Sequence, residues 1–268
     1  MRGLEITTTG YCTNACKFCP QVAFQNAYQG IPLLKFSDFR KVLDDHVPKD
    51  VRIIFSGFSE PFLNPWTVDM IKYAYERGYR VELFTTLVGL SENAVDEFKN
   101  VRFHNVCLHL PDNLGNTKIP YENENYKNVL VKFLTSTRVD GVSIMNENFV
   151  GNNRAGLINL KFKPLHKKGI LYCDKFRHPC PVMLPNCDVV LCCMDFGLKH
   201  KVGNLLEQNY EKIVENIKVL GRRLWKWDSE IICRECTWSS NPIISYTDRT
   251  ARWVYRTLKL RRLKSLMR

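Results

Sequence analysis

Short apolar runs alternate with stretches of helical period through the first half of the chain, and this alternation limits the fold more than any single residue does. Gly3 to Thr9 is a β-branched run, and Arg52 to Ser56, Arg80 to Thr86, Phe103 to Leu110 and Gly141 to Met145 are short apolar runs bounded by turn residues. Between them, Ser37 to His46 (Ser37 as cap), Thr67 to Arg77 (ended by Gly78), Ser91 to Lys99 and Glu122 to Leu134 have helical spacing and length. A repeated β-then-α unit predicts a parallel sheet covered by helices, closed or partly closed as a barrel, with chemistry at the carboxyl ends of the strands. The pattern fades after about Leu160, where LKFKPLHKKG is basic and broken by Pro164 and Gly169. The expected organisation is therefore a barrel over 1–165, a second unit over 166–240 and a tail over 241–268.

Eleven cysteines in 268 residues give the next constraint. No run approaches the roughly eighteen apolar residues of a membrane span, and MRGLEITTTG lacks the apolar stretch of a signal peptide. The expected compartment is the cytoplasm, where thiols stay free unless they bind metal or do chemistry. Seven of the cysteines fall between Cys173 and Cys236, in a segment with too little core for a conventional domain, so a metal is expected to hold it together. Three more, Cys12, Cys16 and Cys19, lie on the loop after the first strand with C-x3-C-x2-C spacing. Thiolates so placed can wrap three corners of a cubane iron–sulfur cluster and leave the fourth iron open for chemistry. Zinc would ask for a fourth ligand, and none lies nearby in sequence.

With Phe18 before its third cysteine, this loop resembles the radical S-adenosylmethionine superfamily, whose signature is C-x3-C-x-aromatic-C. The resemblance covers nearly the whole chain and implies a partial (βα)6 TIM-like barrel. It makes Cys12, Cys16 and Cys19 ligands of a 4Fe–4S cluster whose open iron binds S-adenosylmethionine. Reduction of that cluster would cleave the cofactor and give a 5′-deoxyadenosyl radical that takes hydrogen from a C–H bond. Ser56-Gly57-Phe58-Ser59-Glu60-Pro61 is similar to the family's Gly-x-Gly-Glu-Pro. That implies cofactor-binding roles for Gly57, for Ser59 in place of the second glycine, and for Glu60 as acceptor of the methionine ammonium. Thr86 would lie near the ribose, although Thr-Thr-Leu stands where relatives have Thr-Asn-Gly. Asn153-Arg154-Ala155-Gly156 looks like an Arg-Ala-Gly stretch of a subgroup, and Arg154 would pair with the methionine carboxylate, whose geometry a guanidinium matches.

The second set, Cys173, Cys180, Cys187, Cys192-Cys193-Met-Asp195, then Gly203-Asn204-Leu205 and Cys233-Arg-Glu-Cys236, resembles the auxiliary-cluster module of the SPASM and twitch subgroups. With no cysteine after Cys236, the one-cluster twitch form fits better. The resemblance implies an auxiliary 4Fe–4S cluster on Cys173, Cys192, Cys233 and Cys236, with a hairpin through Pro185-Asn186 and with Cys180 as the alternative to Cys173. Cys187 stands where relatives usually have glycine. The competing reading is a zinc-stapled mini-domain in a protein that binds nucleic acid.

An auxiliary cluster can accept the electron left on a carbon radical, making the net reaction a dehydrogenation. A free thiol can instead return hydrogen to the opposite face, giving epimerisation, and Cys193, Cys187, Cys180 and Cys107 are the candidates. In Phe103 to Leu110, Val106, Leu108 and Leu110 share one face and Asn105, Cys107 and His109 the other, which points His109 into the barrel lumen as a group to contact substrate. The catalytic candidates are accordingly His109 and Cys193. Peptide-modifying relatives usually add a leader-binding domain, for which this chain is expected to have no room before the first strand. The expected substrate is a small carbohydrate-like alcohol, and the expected electron donor a flavodoxin or ferredoxin. Of the net charge of +12, residues 249–268 supply eight Lys or Arg and no acid, leaving +4 elsewhere. That tail reads as a basic helix for an anionic membrane surface or, less favourably, nucleic acid, and peripheral attachment is the expectation it adds.

Overall fold

The computed structural model describes residues 2–112, 114–145, 152–159, 167–227 and 229–243. The expected boundary near residue 165 and the basic tail from Arg249 lie outside the described residues. In chain order the elements are β1 (Gly3–Ile6), α1 (Gln21–Ala27), α2 (Phe36–Asp45), β2 (Arg52–Phe55), α3 (Thr67–Glu76), β3 (Val81–Thr85), α4 (Glu92–Val95), β4 (Asn105–Pro111), α5 (Glu124–Ser136) and β5 (Gly141–Met145). They continue with α6 (Asp174–Arg177), β6 (Val182–Met183), β7 (Asp188–Val190), β8 (Lys201–Asn204) and α7 (Tyr210–Gly221).

Each central strand sorts its side chains between two faces because successive residues point to opposite sides of a sheet. Leu4 and Ile6, Ile53 and Phe55, Val81 and Leu83, and Val106 and Leu108 all enter the core beneath the helices. Their neighbours Glu5, Arg52, Ile54, Glu82, Phe84 and His109 line a cavity on the opposite face. The helices supply the covering layer: Phe39, Val42 and Leu43 from α2, Met70, Ile71 and Ala74 from α3, and Tyr126, Val129 and Phe133 from α5 are buried. Asn123 caps α5 by accepting from the backbone of Asn125 and Tyr126, and Ser91 caps α4 through Ala94. The expected Ser37 cap is corrected: α2 starts at Phe36 behind Lys35, and Ser37 sits inside the first turn. The stretch expected as one helix over Ser91 to Lys99 divides into α4 and a 3₁₀ turn over Asp96–Phe98.

The sheet has eight strands in the order β5-β4-β3-β2-β1-β6-β7-β8. β1 to β5 are parallel and adjacent in sequence order, as the β-then-α repeat requires. Among the described residues one further parallel strand, β6, is two residues long and pairs with β1 on the side away from β2. β7 and β8 then extend the sheet antiparallel, so the segment expected to form a separate unit over 166–240 shares the barrel's sheet. α7 packs back on this edge, where buried Tyr210 donates from its hydroxyl to the Gly3 carbonyl at 2.9 Å. Among the described residues no helix is long and apolar enough to cross a membrane.

Phe133 is wholly buried and meets Phe98 edge-on at 6.2 Å between ring centres. Phe133→Ala is expected to cost about 3–5 kcal/mol of stability in chemical denaturation, the range for emptying a large core site.

Candidate active site

The three cysteines of the first loop are half-buried and line one cavity of about 1150 Å³ at the carboxyl ends of the strands. Their loop is braced from outside: Lys17 donates its backbone N–H to the Asn116 carbonyl at 2.9 Å, and Lys118 donates to Asn14 at 2.7 Å. Burial pushes the Cys16 thiol up to about 12, with the neighbouring Cys19 and Cys12 adding to the rise. The Cys19 thiol is pushed up to about 11 by burial, against the pull of Arg154. Thiols held this way are protonated at neutral pH, so metal capture here must release protons.

Glu60 ends the turn after β2 and is fully enclosed. One carboxylate oxygen accepts from Thr85 Oγ1 at 2.5 Å and Phe62 N at 3.3 Å, and the other from Thr86 N and Thr86 Oγ1, both at 2.7 Å. Four donors fill the acceptor directions of a carboxylate. The carboxylate thus ties the ends of β2 and β3 while lining the cavity, and on the same turn Ser59 Oγ is buried without a hydrogen-bond partner among the described residues. Gly57 adopts a positive φ of 87°, and a Cβ there would lie 2.1 Å from Thr7 Oγ1, so contact with β1's end requires this glycine. Thr86 lines the cavity and accepts from Asn14 Nδ2 at 3.0 Å.

Arg154 reaches the same cavity, its guanidinium over the Phe196 ring at 5.4 Å. Phe196 belongs to a minor core with Phe24 of α1 and Phe58 of the Ser56–Glu60 turn, at centroid distances of 4.7 Å (Phe196–Phe58) and 5.0 Å (Phe24–Phe58). Among the described residues, Asn14 Oδ1, Gln21 Nε2, Arg52 Nε, Ser59 Oγ and Arg154 Nε are buried without hydrogen-bond partners, and all five residues line this cavity. Elsewhere among the described residues, only Thr137 and Gln208 carry such atoms. Orphaned polar groups are costly in a folded interior, so their concentration here marks a ligand's place.

The second cysteine set converges around a different point. The charge of Cys173 bears on Cys192 and Cys233, and that of Cys236 on Cys173 and Cys233. Burial pushes the Cys173 thiol up to about 11 and raises Cys192 and Cys233 as well. Asp195 organises the surrounding turn by accepting from the backbone of Lys199 at 2.9 Å and His200 at 2.8 Å. His200 Nε2 in turn accepts from Ile232 N at 3.1 Å, which links that turn to the Cys233–Cys236 loop. Trp238 N donates to Cys236 Sγ at 3.4 Å. Cys180 faces elsewhere, its Sγ 3.8 Å from Glu5 Oε1. Cys187 is buried in the core at the hairpin turn with φ 63°, a backbone state that glycine adopts without strain. Among the described residues, no three His, Cys, Asp or Glu side chains close tightly enough to share a single metal ion.

Between the two sets the cavity wall is charged. Glu5, from the middle of β1, is buried, yet among the described residues its oxygens meet long contacts, the Cys180 thiol at 3.8 Å and Lys175 Nζ at 4.0 Å. Burial raises the Glu5 carboxyl above its ordinary range. Arg52 pairs with Glu82 at 2.6 Å beside it. Glu5, Lys175, Arg52 and Glu82 were not singled out from the sequence, although an acid in the second-face position of GLEI and charged residues on β2 and β3 carried the signal. Cys193 and His109 line the cavity as expected. Cys107 lies beside Ser143, 3.9 Å between Sγ and Oγ.

Residues 6–112 match the family model described as Radical SAM superfamily, so this stretch is a radical SAM domain. The family implies a 4Fe–4S cluster and S-adenosylmethionine as cofactors, and the three thiols with the orphaned atoms around them fit that pair. Among solved structures the chain is similar to BtrN in complex with AdoMet and 2-DOIA, at 16% identity over 88% of this chain and 92% of that one, TM-score 0.62. A selenomethionine form of BtrN in an open conformation matches at 15% identity over the same shares, TM-score 0.55. Native anSMEcpe with bound AdoMet matches at 12% identity over 86% of this chain and 84% of that one, TM-score 0.54. At these identities the likeness is one of fold. No curated protein sequence matches the chain.

Two outcomes follow from this geometry. Thr85→Val leaves the enclosed Glu60 one donor short and is expected to cost about 1–3 kcal/mol in denaturant unfolding, where a neutral result would remove the locking role. His109 is pushed down to about 4 by burial and then by Arg154. Its unfolded form therefore binds the extra proton in the window from 6.5 down to about 4, and the stability of the neutral folded form is lost as pH falls through that window. The imidazole NMR signals of His109 should stay constant from about pH 8 to about pH 5, and a midpoint near the ordinary histidine value would refute its enclosure.

Proposed function

We propose that this chain is a radical S-adenosylmethionine enzyme that dehydrogenates a small, polar, carbohydrate-like alcohol, with an auxiliary 4Fe–4S cluster as electron acceptor. The observation that carries the reading is a single cavity lined both by Cys12, Cys16 and Cys19 and by Cys173 and Cys193, so that a substrate within it lies between the two cysteine sets. When bound, the first cluster with S-adenosylmethionine supplies a 5′-deoxyadenosyl radical able to take hydrogen from carbon, and the second supplies an electron sink.

The chain's own residues divide the remaining work. Cys12, Cys16 and Cys19 hold the first cluster and leave one iron for the cofactor. Arg154 faces the methionine carboxylate, Glu60 with Gly57 and Ser59 of its turn the ammonium end, and Thr86 the ribose. Cys173, Cys192, Cys233 and Cys236 hold the second cluster; Cys180 is the weaker choice because it faces Glu5. Glu5, Lys175, Arg52, Glu82 and His109 make the wall polar and nearly charge-balanced, which suits a molecule rich in hydroxyl or amino groups. BtrN's complex with the small molecule 2-DOIA supports that class. Neutral His109 accepts or donates a hydrogen bond to such a substrate.

A second reading, epimerisation with Cys193 as hydrogen donor, is favoured by one observation: this thiol lines the cavity together with Glu5. A flavodoxin or ferredoxin is the proposed electron donor, and the basic tail the proposed contact for an anionic membrane.

The deciding measurement is iron and sulfide content after anaerobic reconstitution. The protein is expected to hold about eight irons, and about four after alanine replacement of either Cys12, Cys16 and Cys19 or Cys173, Cys192, Cys233 and Cys236. 5′-Deoxyadenosine should form in the second variant and not in the first. Zinc in place of iron would end the radical reading, and four irons falling to none in the first variant would remove the auxiliary acceptor.

A further inference from the structure

Arg154 stands in a backbone conformation that side-chain-bearing residues avoid. Its φ is 45°, that of Ala155 is 51° and that of Gly156 is 90°, three left-handed residues in succession. Such a turn persists only where its surroundings hold it. The holding contacts come from a segment more than eighty residues away. Asn153 N donates to Thr237 Oγ1 at 3.1 Å, Thr237 N donates to Asn153 Oδ1 at 3.0 Å, and Asn153 Nδ2 donates to the Glu235 carbonyl at 2.6 Å. Glu235 lies between Cys233 and Cys236, and Thr237 follows directly. Asn153 is 4% exposed, so this clasp is shielded from water. Its own carbonyl accepts from Gly156 N and Ile158 N, both at 3.0 Å, which closes the turn around Arg154. Gly156 fits against the same loop, since a Cβ there would lie 3.1 Å from Glu235 Cβ. The guanidinium meets the ring of Phe196, and its Nε is without a partner among the described residues. The aim of this side chain is thus set from its backbone.

We infer that the Cys233–Cys236 loop positions Arg154 for the carboxylate of S-adenosylmethionine through the Asn153–Thr237 clasp, so that cofactor recognition in the first cysteine site depends on the loop of the second. The inference rests on the reading of Arg154 as the carboxylate's partner. Asn153 and Thr237 are positioning residues, and their effect is specific to the carboxylate.

The test measures dissociation constants of S-adenosylmethionine and of decarboxylated S-adenosylmethionine for the reconstituted protein, with iron content determined for every variant. Arg154→Ala should lower the preference for the carboxylate-bearing form about tenfold or more, the scale of one charge-assisted hydrogen bond. Thr237→Val, which keeps the shape and removes the acceptor, and Asn153→Ala should each lower it by about fivefold or more at unchanged iron content, while Thr237→Ser, which keeps the hydroxyl, should retain it. If Arg154→Ala lowers the preference while Thr237→Val and Asn153→Ala keep it, the positioning inference is overturned and the reading of Arg154 stands. If Arg154→Ala keeps it, the reading of Arg154 fails and the inference with it. Weaker binding of both ligands alike in Thr237→Val and Asn153→Ala would show general loosening and also overturn the inference.

Discussion

The enclosed carboxylate of Glu60 sets the geometry of the sheet's functional rim. A carboxylate without water must find its donors in the protein, and here they come from the end of β3, through Thr85 and Thr86, and from the turn after Glu60 itself. The second and third strands are therefore tied at the height where the cavity opens. Thr86 passes the constraint to Asn14 in the cysteine loop, and Gly57 lets the same turn sit against Thr7 at the end of β1. Three neighbouring strand ends and the loop that carries the first three cysteines are thus joined by polar contacts.

A second, apolar tie joins the two halves of the site. Phe24 follows the first cysteine loop, Phe58 sits in the turn before Glu60, and Phe196 follows the Cys192–Asp195 turn; their rings pack together in a minor core. Polar contacts then run outward from it, through Asp195 and His200 to the Cys233 loop and from there to Asn153. The cavity between the two thiol sets is bounded by rigid packing on one side and by a hydrogen-bonded loop on the other. Such a wall keeps groups held in the cavity at fixed separation.

Much of this was legible in the sequence where a local rule governed it. The alternation in β1 to β4 gave both faces of the sheet, including the inward turn of His109, because a two-residue period leaves little choice of side. The first cysteine spacing placed three thiols on one loop for the same local reason. Contacts over long separation were less readable. Glu5 and Lys175 meet across 170 positions, and nothing in the local pattern around either announces the other. The attachment of β6 to β1 was likewise hidden, since a two-residue strand carries no periodicity. Ser37 misled as a cap because Phe36 already fits the buried face of α2, and the helix starts where that face starts. Glu60 stood out through its resemblance to a motif, while its donors Thr85 and Thr86 were not legible, since only the folded sheet brings them to its oxygens.

The placement of β6 bears on how this molecule avoids other copies of itself. An open parallel edge at β1 would present unpaired N–H and C=O groups over an apolar face, a template for intermolecular pairing. β6 occupies that edge, and β7 and β8 carry it on to a strand that starts with exposed Lys201. The cysteine hairpin is thus also a cover for the first strand of the chain. A chain shortened ahead of residue 180 would lose solubility through self-association, quite apart from any loss of metal.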